Sequence, residues 1–341
     1  MNLGTAATLV LGLLAFAAAW QLQRPRRETP AEGTPLPAPS APSEDTGRFP
    51  AFQANLDALA TVDASAVLYR EAAPLDLPSL DALRAVAVGA DGRLYAGGGT
   101  NILVLAPDGG VLRRVGVAGN VTCLAVDSAG RLYAGLGSSV QAFTPDGVRA
   151  NVFEGLGTNS LATSIAATTD HVFVADAGSR VVARYTPSGV RERTFDGRAT
   201  GSPEAGFRVP SPYFDLALGA GDVLWVANPG RHRLEEYDFD GVRIDAWEER
   251  SGPAIDAFCG CCNPAHIARR EDGAIVTAEK GFRRIKVHSR RGQFLGVVAP
   301  PEVFEDHPWA LDIAIAPDGR VLVADPARIQ IRIFVMARKP D

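Results

Sequence analysis

Three observations predict an all-β chain, a six-bladed β-propeller behind an N-terminal transmembrane helix. One phrase of short apolar strands joined by Gly or Asp turns returns six times from Ala85 onward. Its turns, at Gly92, Gly130, Asp170, Asp222, Gly273 and Gly319, lie 38 positions apart at the closest (Gly92 to Gly130) and 52 at the widest (Asp170 to Asp222). That period suits blades of four short strands. Ahead of the repeats, Leu3 to Trp20 runs for 18 residues without a charge, which as a helix just reaches across a bilayer.

In chain order, residues 1–22 read as the anchor or signal segment, 23–55 as a Pro/Ala-rich linker and 60–341 as the propeller. Arg24, Arg26 and Arg27 end the apolar span. A cleaved signal peptide would be cut after Ala15-Phe16-Ala17 or Ala17-Ala18-Ala19, but the basic segment that should precede it is missing, which favours an uncleaved single-pass anchor in the cell membrane. The arginines after the span argue for a cytoplasmic propeller by the positive-inside rule. The stalk-like run from Glu28 to Gly47 argues for the periplasmic or extracellular side, and the reading leans to that side.

The six copies of the phrase are AVAVGADGRLYAGGG, CLAVDSAGRLYAGLG, SIAATTDHVFVADAG, DLALGAGDVLWVANPG, HIARREDGAIVTAEKG and DIAIAPDGRVLVADPA. The last leaves little chain for an outer strand, and an open sheet edge invites association. Ala64 to Tyr69 is the apolar segment expected to close that blade.

The passage from Gly201 to Gly241, GSPEAGFRVPSPYFDLALGAGDVLWVANPGRHRLEEYDFDG, resembles an NHL repeat, and FVADAGSRVVARYTPSG and VLVADPARIQIRIF match it less completely. The resemblance spans Ala85 to Met336. It implies a six-bladed NHL-type propeller, in a family of ligand-binding sensors, protein-interaction modules and a few metal-dependent lyases. Fold of this kind does not settle function.

The chemistry concentrates in Phe258-Cys259-Gly260-Cys261-Cys262-Asn263-Pro264-Ala265-His266, which holds three of the chain's four cysteines. Thiolates and an imidazole so close can share a metal ion or run disulfide chemistry. In a propeller this stretch connects blades four and five. Alignment of the inner strands puts His266 level with Asp312, Asp215, Ser164, Cys123 and Ala85, with one gap at Ser164. Cys259, Cys261, Cys262 and His266 are the expected metal ligands, for copper or zinc, with Cys123 and Asp312 as outer candidates. His307 and Trp309 are expected at the same face.

Plainer readings stand beside these. Cys123 alone reads as a small buried hydrophobe, and the loop cysteines read equally as a disulfide staple, Cys259 to Cys262 or a vicinal Cys261 to Cys262 bridge. Asp176, Asn228, Glu279 and Asp325 recur after the second strand, where they are expected to bond turn backbone. His171, His232 and His288 are expected on the surface. Blade five carries Arg269, Arg270, Lys280, Arg283, Arg284, Lys286, Arg290 and Arg291, expected as a solvated face.

A net charge of −5 over 341 residues excludes a nucleic-acid partner on electrostatic grounds. No Ser-His-Asp spacing, phosphate-binding glycine loop or heme motif is present. The leading expectation is a membrane-tethered binding module for a protein partner, with a Cys/His metal or thiol-redox site at the channel mouth. A metal-dependent lyase or hydrolase and a plain interaction scaffold with a stapled loop are the alternatives, so enzyme status stays open.

Overall fold

The computed structural model describes residues 61–153, 155–198, 206–305 and 310–337. The Leu3–Trp20 span, the linker, His307 and Trp309 lie outside them. Among the described residues no helix is long and apolar enough to cross a membrane.

Six antiparallel sheets make up the architecture, and five of them are built from four consecutive strands: Ala85–Gly116, Cys123–Val152, Ala162–Phe195, Leu216–Ala246 and His266–Ala299. These are blades one to five. Each second strand is buried along nearly its whole length, as in Val172–Asp176 and Val223–Asn228, because both faces of a blade pack against neighbouring blades. Outer strands such as Arg191–Phe195 are largely exposed, which explains why the sequence pattern fades there.

Blade six is completed by a strand that precedes blade one in the chain. Ile313–Ile315, Val321–Asp325 and Gln330–Met336 supply three strands, and Tyr69–Glu71 supplies the fourth, pairing Tyr69 with Met336 and Glu71 with Phe334. The short strand Leu75–Asp76 then pairs with Ile331 and Gln330. This corrects the expected boundaries: Ala64–Ala66 is a 3-10 turn, capped by the Asp63 carboxylate accepting from the Ser65 amide at 2.7 Å, and the strand begins only at Tyr69. Arg332 fixes the seam, donating from Nη2 to Glu71 at 2.8 Å and from Nη1 to Asp325 at 2.9 Å.

The apolar core is divided into layers between blades. The layer between blades five and six holds 16 buried apolar residues, whereas that between blades four and five holds seven. Phe258, from the cysteine loop, is one of those seven, so the loop fills the thinnest seam in the ring.

Candidate functional site

The inner strands begin at one level around the axis. Ala85 faces Gly97, Cys123 faces Gly135, Ser164 faces Ala175 and His266 faces Ala278 across their hairpins. Asp215 and Asp312 directly precede their strands, and their carbonyls accept from Ala227 and Ala324 at 2.9 Å, which places them at the same level. The alignment read from the sequence therefore holds.

The amide just after each ring position looks toward the neighbouring blade and needs an acceptor. The polar members of the ring provide it: Leu216 N donates to Ser164 Oγ at 3.1 Å, Ile267 N to Asp215 Oδ2 at 2.6 Å, and Val86 N to Asp312 Oδ2 at 2.8 Å. Asp312, expected as an outer ligand, thus clamps blade six to blade one. Burial raises its carboxyl above the usual range, with the Asp215 charge adding to the effect and His266 opposing it. Cys123, 6 % exposed, receives the Thr122 hydroxyl at 3.9 Å. Burial foremost, with the charges of Asp312 and Asp215, pushes its thiol up to about 12. The ring borders an axial cavity of about 270 Å³.

His266 belongs to this ring. Its Nδ1 lies 3.3 Å from Asp312 Oδ1 and 3.6 Å from Asp215 Oδ2, and Tyr213 meets it edge-on, with ring centroids 5.7 Å apart. Tyr213, Ala265 and Ala310 form a small apolar cluster where three successive blade connections meet, and Ala310 N donates to the Tyr213 hydroxyl at 3.0 Å. The Lys280 ammonium stands 5.4 Å over the Tyr213 ring and Arg84 5.6 Å, a cation–π arrangement. Tyr213 therefore separates the ring from the cysteine loop.

The loop is held from beneath by buried charges of blade five. Arg284 donates to Pro253 O, Lys286 to Ile255 O and Ala257 O, and the Cys259 amide to Glu279 Oε1. Glu279 in turn holds Arg284 at 2.6 Å and Lys286 at 3.4 Å. Asn263 closes the turn, accepting from Lys280 N and donating to Cys259 O. From the neighbouring side His232 Nε2 reaches Gly260 O at 2.6 Å. Burial of Lys286 lowers its ammonium to about 8.

On this support Cys261 and Cys262 bring their sulfurs to 3.1 Å. Cys261 is exposed and Cys262 buried. Burial alone would raise the Cys262 thiol, but the Lys280 ammonium, by bond and by charge, and the neighbouring Cys261 thiol outweigh it and bring the thiol below its ordinary value of 9.0. Cys261 moves the other way, chiefly because it donates to the Cys262 sulfur. Lys280 is raised, its own burial being overcome by the Cys262 thiolate. The geometry suits a pair that shares one proton and one negative charge.

The expected ligand set is thus divided. Cys261 and Cys262 face Lys280 and Ser211, whereas His266, Asp312 and Cys123 belong to the ring with Asp215. Among the described residues no three His, Cys, Asp or Glu side chains are grouped as metal ligands would be. Glu279 and Asp325 do bond turn backbone, as Asp176 and Asn228 also do. The expectation for His288 is corrected: it is 1 % exposed, packed among Trp247, Phe258 and Phe294. Arg284 and Lys286 are likewise buried rather than on a solvated face.

Sequence reasoning missed Lys280 as a partner for the thiols, and it missed Tyr213 altogether. The signal for Lys280 was present: the residue after the turn acid is Ala177, Pro229 or Pro326 in other blades, and only blade five puts a cation there.

No protein-family model matches the chain, and no curated protein matches it. Among solved structures the chain is similar to a streptogramin B lyase, with a TM-score of 0.57 and 14% identity, covering 79% of this chain and 98% of that one. It is similar to a catalytically inactive virginiamycin B lyase from Staphylococcus aureus with quinupristin, at 0.54 and 13%, covering 78% and 99%. The WD40 β-propeller domain of Doa1 follows at 0.51 and 16%, covering 74% and 78%. At such identities the likeness establishes the propeller fold alone.

Proposed function

We propose that this protein is an NHL-type propeller binding module, held on the outer face of a membrane by Leu3–Trp20, that carries an exchange-competent vicinal dithiol at one mouth of its channel. The observation that supports this most is the 3.1 Å contact between Cys261 and Cys262 beside Lys280. A thiolate is the species that exchanges, and an ammonium next to a thiol favours it.

The reaction balances as follows. The shared proton moves from Cys261 to Cys262, leaving the negative charge on the exposed sulfur. Cys261 attacks one sulfur of an incoming disulfide, whose other sulfur leaves as a thiolate. Cys262 gives up its proton to that thiolate and displaces the remaining substrate sulfur from Cys261, which departs as a second thiolate. The protein pair is oxidised to a Cys261–Cys262 disulfide and the substrate disulfide is reduced to one thiol and one thiolate, which takes its proton from water.

Thiol exchange fits better than zinc or copper capture by Cys259, Cys261, Cys262 and His266, because the imidazole which that set requires faces Asp215, Asp312 and Tyr213. It fits better than a channel lyase because Asp215 and Asp312 each commit an oxygen to a neighbouring blade.

The test is to treat the reduced full-length protein with 2-hydroxyethyl disulfide and map its peptides by mass. A Cys261–Cys262 disulfide should form, and Cys262→Ser should instead trap a mixed disulfide on Cys261. No reaction, or capture by Cys259 or Cys123 instead, overturns the proposal. Stoichiometric zinc or copper on the reduced loop that blocks exchange would put the metal reading in its place. Membrane attachment is tested separately: the full chain should stay with membranes through alkaline carbonate washing, and a mature N-terminus near Ala17 or Ala19 would contradict it.

A further inference from the structure

The polar ring occupies one end of the axial cavity, and the other end carries a feature that the dithiol does not use. Three residues beyond the ring each inner strand reaches its last position, at Val88, Val126, Ala167, Leu218, Arg269 and Ile315, all of which line the cavity. Five of these are apolar. Blade five alone puts a cation there. One residue nearer the ring every blade carries alanine, at Ala87, Ala125, Ala166, Ala217, Ala268 and Ala314, and this layer also lines the cavity. Only methyl groups reach the axis at that level, which leaves room for a ligand.

The cavity opens at this end, away from the dithiol. Ring members such as Ala85, Ser164 and His266 are buried, whereas Val88, Val126, Leu218, Arg269 and Ile315 are half-buried. Val88, Arg269 and Ile315 also border an open vestibule of about 1020 Å³ at the foot of blades five, six and one, so a solute can reach them from solvent.

The Arg269 side chain makes no hydrogen bond or ion pair with the described residues. The turns around the vestibule pair their own charges: Arg270 with Asp272 at 2.7 Å, Arg320 with Asp318 at 2.6 Å and Arg93 with Asp91 at 3.3 Å. Glu271 is exposed and lines the vestibule but not the axial cavity where Arg269 stands. At the far end, roughly 10 Å away along the strands, Asp215 and Asp312 would repel an anion. An acid group is therefore placed at Arg269, not at the ring.

A guanidinium fork can hold a carboxylate by two parallel bonds, and the alanine layer suits an unbranched apolar tail. At about 270 Å³ the cavity matches the small end of ligand pockets, roughly 300 Å³, so the tail is short. We propose that the foot of the channel binds a short-chain aliphatic carboxylate, its acid group on Arg269 and its tail along the alanine layer. A free short-chain acid and the carboxyl terminus of a partner protein both carry that chemistry.

Calorimetric titration of the full-length protein tests it, with hexanoate as probe, neutral hexanamide as its shape control and acetate as the control for the tail. Hexanoate should saturate with a dissociation constant of about 1 mM, as a fragment of this size can reach. Hexanamide and acetate should each bind about tenfold more weakly or not at all, through loss of a charge-assisted bond in one and of buried apolar surface in the other. Arg269→Leu gives blade five the residue that blade four uses and should abolish saturation, while Arg269→Lys should retain part of the affinity. Ala217→Leu fills the alanine layer and should weaken hexanoate with the guanidinium still in place. N-acetyl-alanyl-leucine separates the sources: weaker binding than hexanoate assigns a free acid, tighter binding a partner's carboxyl terminus. No saturation by hexanoate, equal binding of hexanamide, or unchanged affinity in Arg269→Leu or Ala217→Leu overturns the proposal.

Discussion

Cys123 and Cys262 are both buried, both adjoin the start of an inner strand, and both lie near one channel mouth, yet their surroundings push them in opposite directions. Cys123 shares its pocket with the carboxylates of Asp215 and Asp312, and its thiol rises to about 12. Cys262 has the Lys280 ammonium, the Ser211 hydroxyl and a second thiol beside it, and falls below 9.0. Burial raises both thiols and dominates at Cys123, whereas at Cys262 the bonds and charge of its neighbours overcome it. One cysteine packs the ring, and the other belongs to the pair equipped to react.

The comparison breaks most severely if the loop loses its support. Glu279→Ala leaves Arg284 and Lys286 buried without their counter-charge, which should cost about 3–5 kcal/mol in urea unfolding. The alkylation rate of the Cys261–Cys262 pair should change in the same variant, while Cys123 stays protected as long as the ring is folded. A variant of normal stability and unchanged thiol reactivity would show that the loop does not depend on this triad.

A narrower change removes only the charge. Lys280→Met should slow alkylation of the pair near neutral pH by about tenfold, the size of a one-unit rise in thiol pKa, with little loss of stability because Lys280 is not part of the triad. Equal rates in the two proteins would mean that another group holds the thiolate.

Stability against pH should show the opposite shifts directly. For Cys262 the native state holds fewer protons than the unfolded chain between its lowered pKa and 9.0, so its contribution is present above 9.0 and is lost as pH falls through the lowered value. For Cys123 the native state holds more protons between 9.0 and about 12, so its contribution is intact below 9.0 and is lost as pH rises toward 12. Urea unfolding over a pH series should therefore lose its alkaline decline in part in Cys123→Ala and its decline below 9.0 in part in Cys262→Ser. Identical pH profiles would contradict both assignments.

The smallest effect is expected from Cys123→Ala at neutral pH. Removing one sulfur from a packed site should cost about 1 kcal/mol in the same assay and leave disulfide exchange untouched. A loss of exchange in this variant would join the two regions that Tyr213 keeps apart.

What was legible in the sequence follows from what repeats. The inner-strand level of Ala85, Cys123, Ser164, Asp215, His266 and Asp312 could be aligned because each is followed by the same apolar strand and Gly or Asp turn. The closing strand was legible in role, but its bounds were displaced because Asp63 caps a turn that the apolar pattern of Ala64 to Tyr69 conceals. His288 was misplaced because Ser289, Arg290 and Arg291 around it suggest a surface, although its repeat position, shared with Tyr185 and Tyr237, marks the core. Tyr213 and Lys280 act through side-chain directions out of loops, which no periodicity encodes. His266 was drawn to the cysteines by sequence distance, whereas the strand it opens commits it to the ring.

The most direct measurement is peptide-resolved iodoacetamide labelling of the full-length protein as a function of pH, with and without Lys280→Met. The account predicts that the Cys261–Cys262 pair labels with a midpoint below 9.0, that the midpoint moves upward in the variant, and that Cys123 stays unlabelled while the protein is folded. A pair that titrates at or above 9.0 and ignores the loss of Lys280 would contradict it.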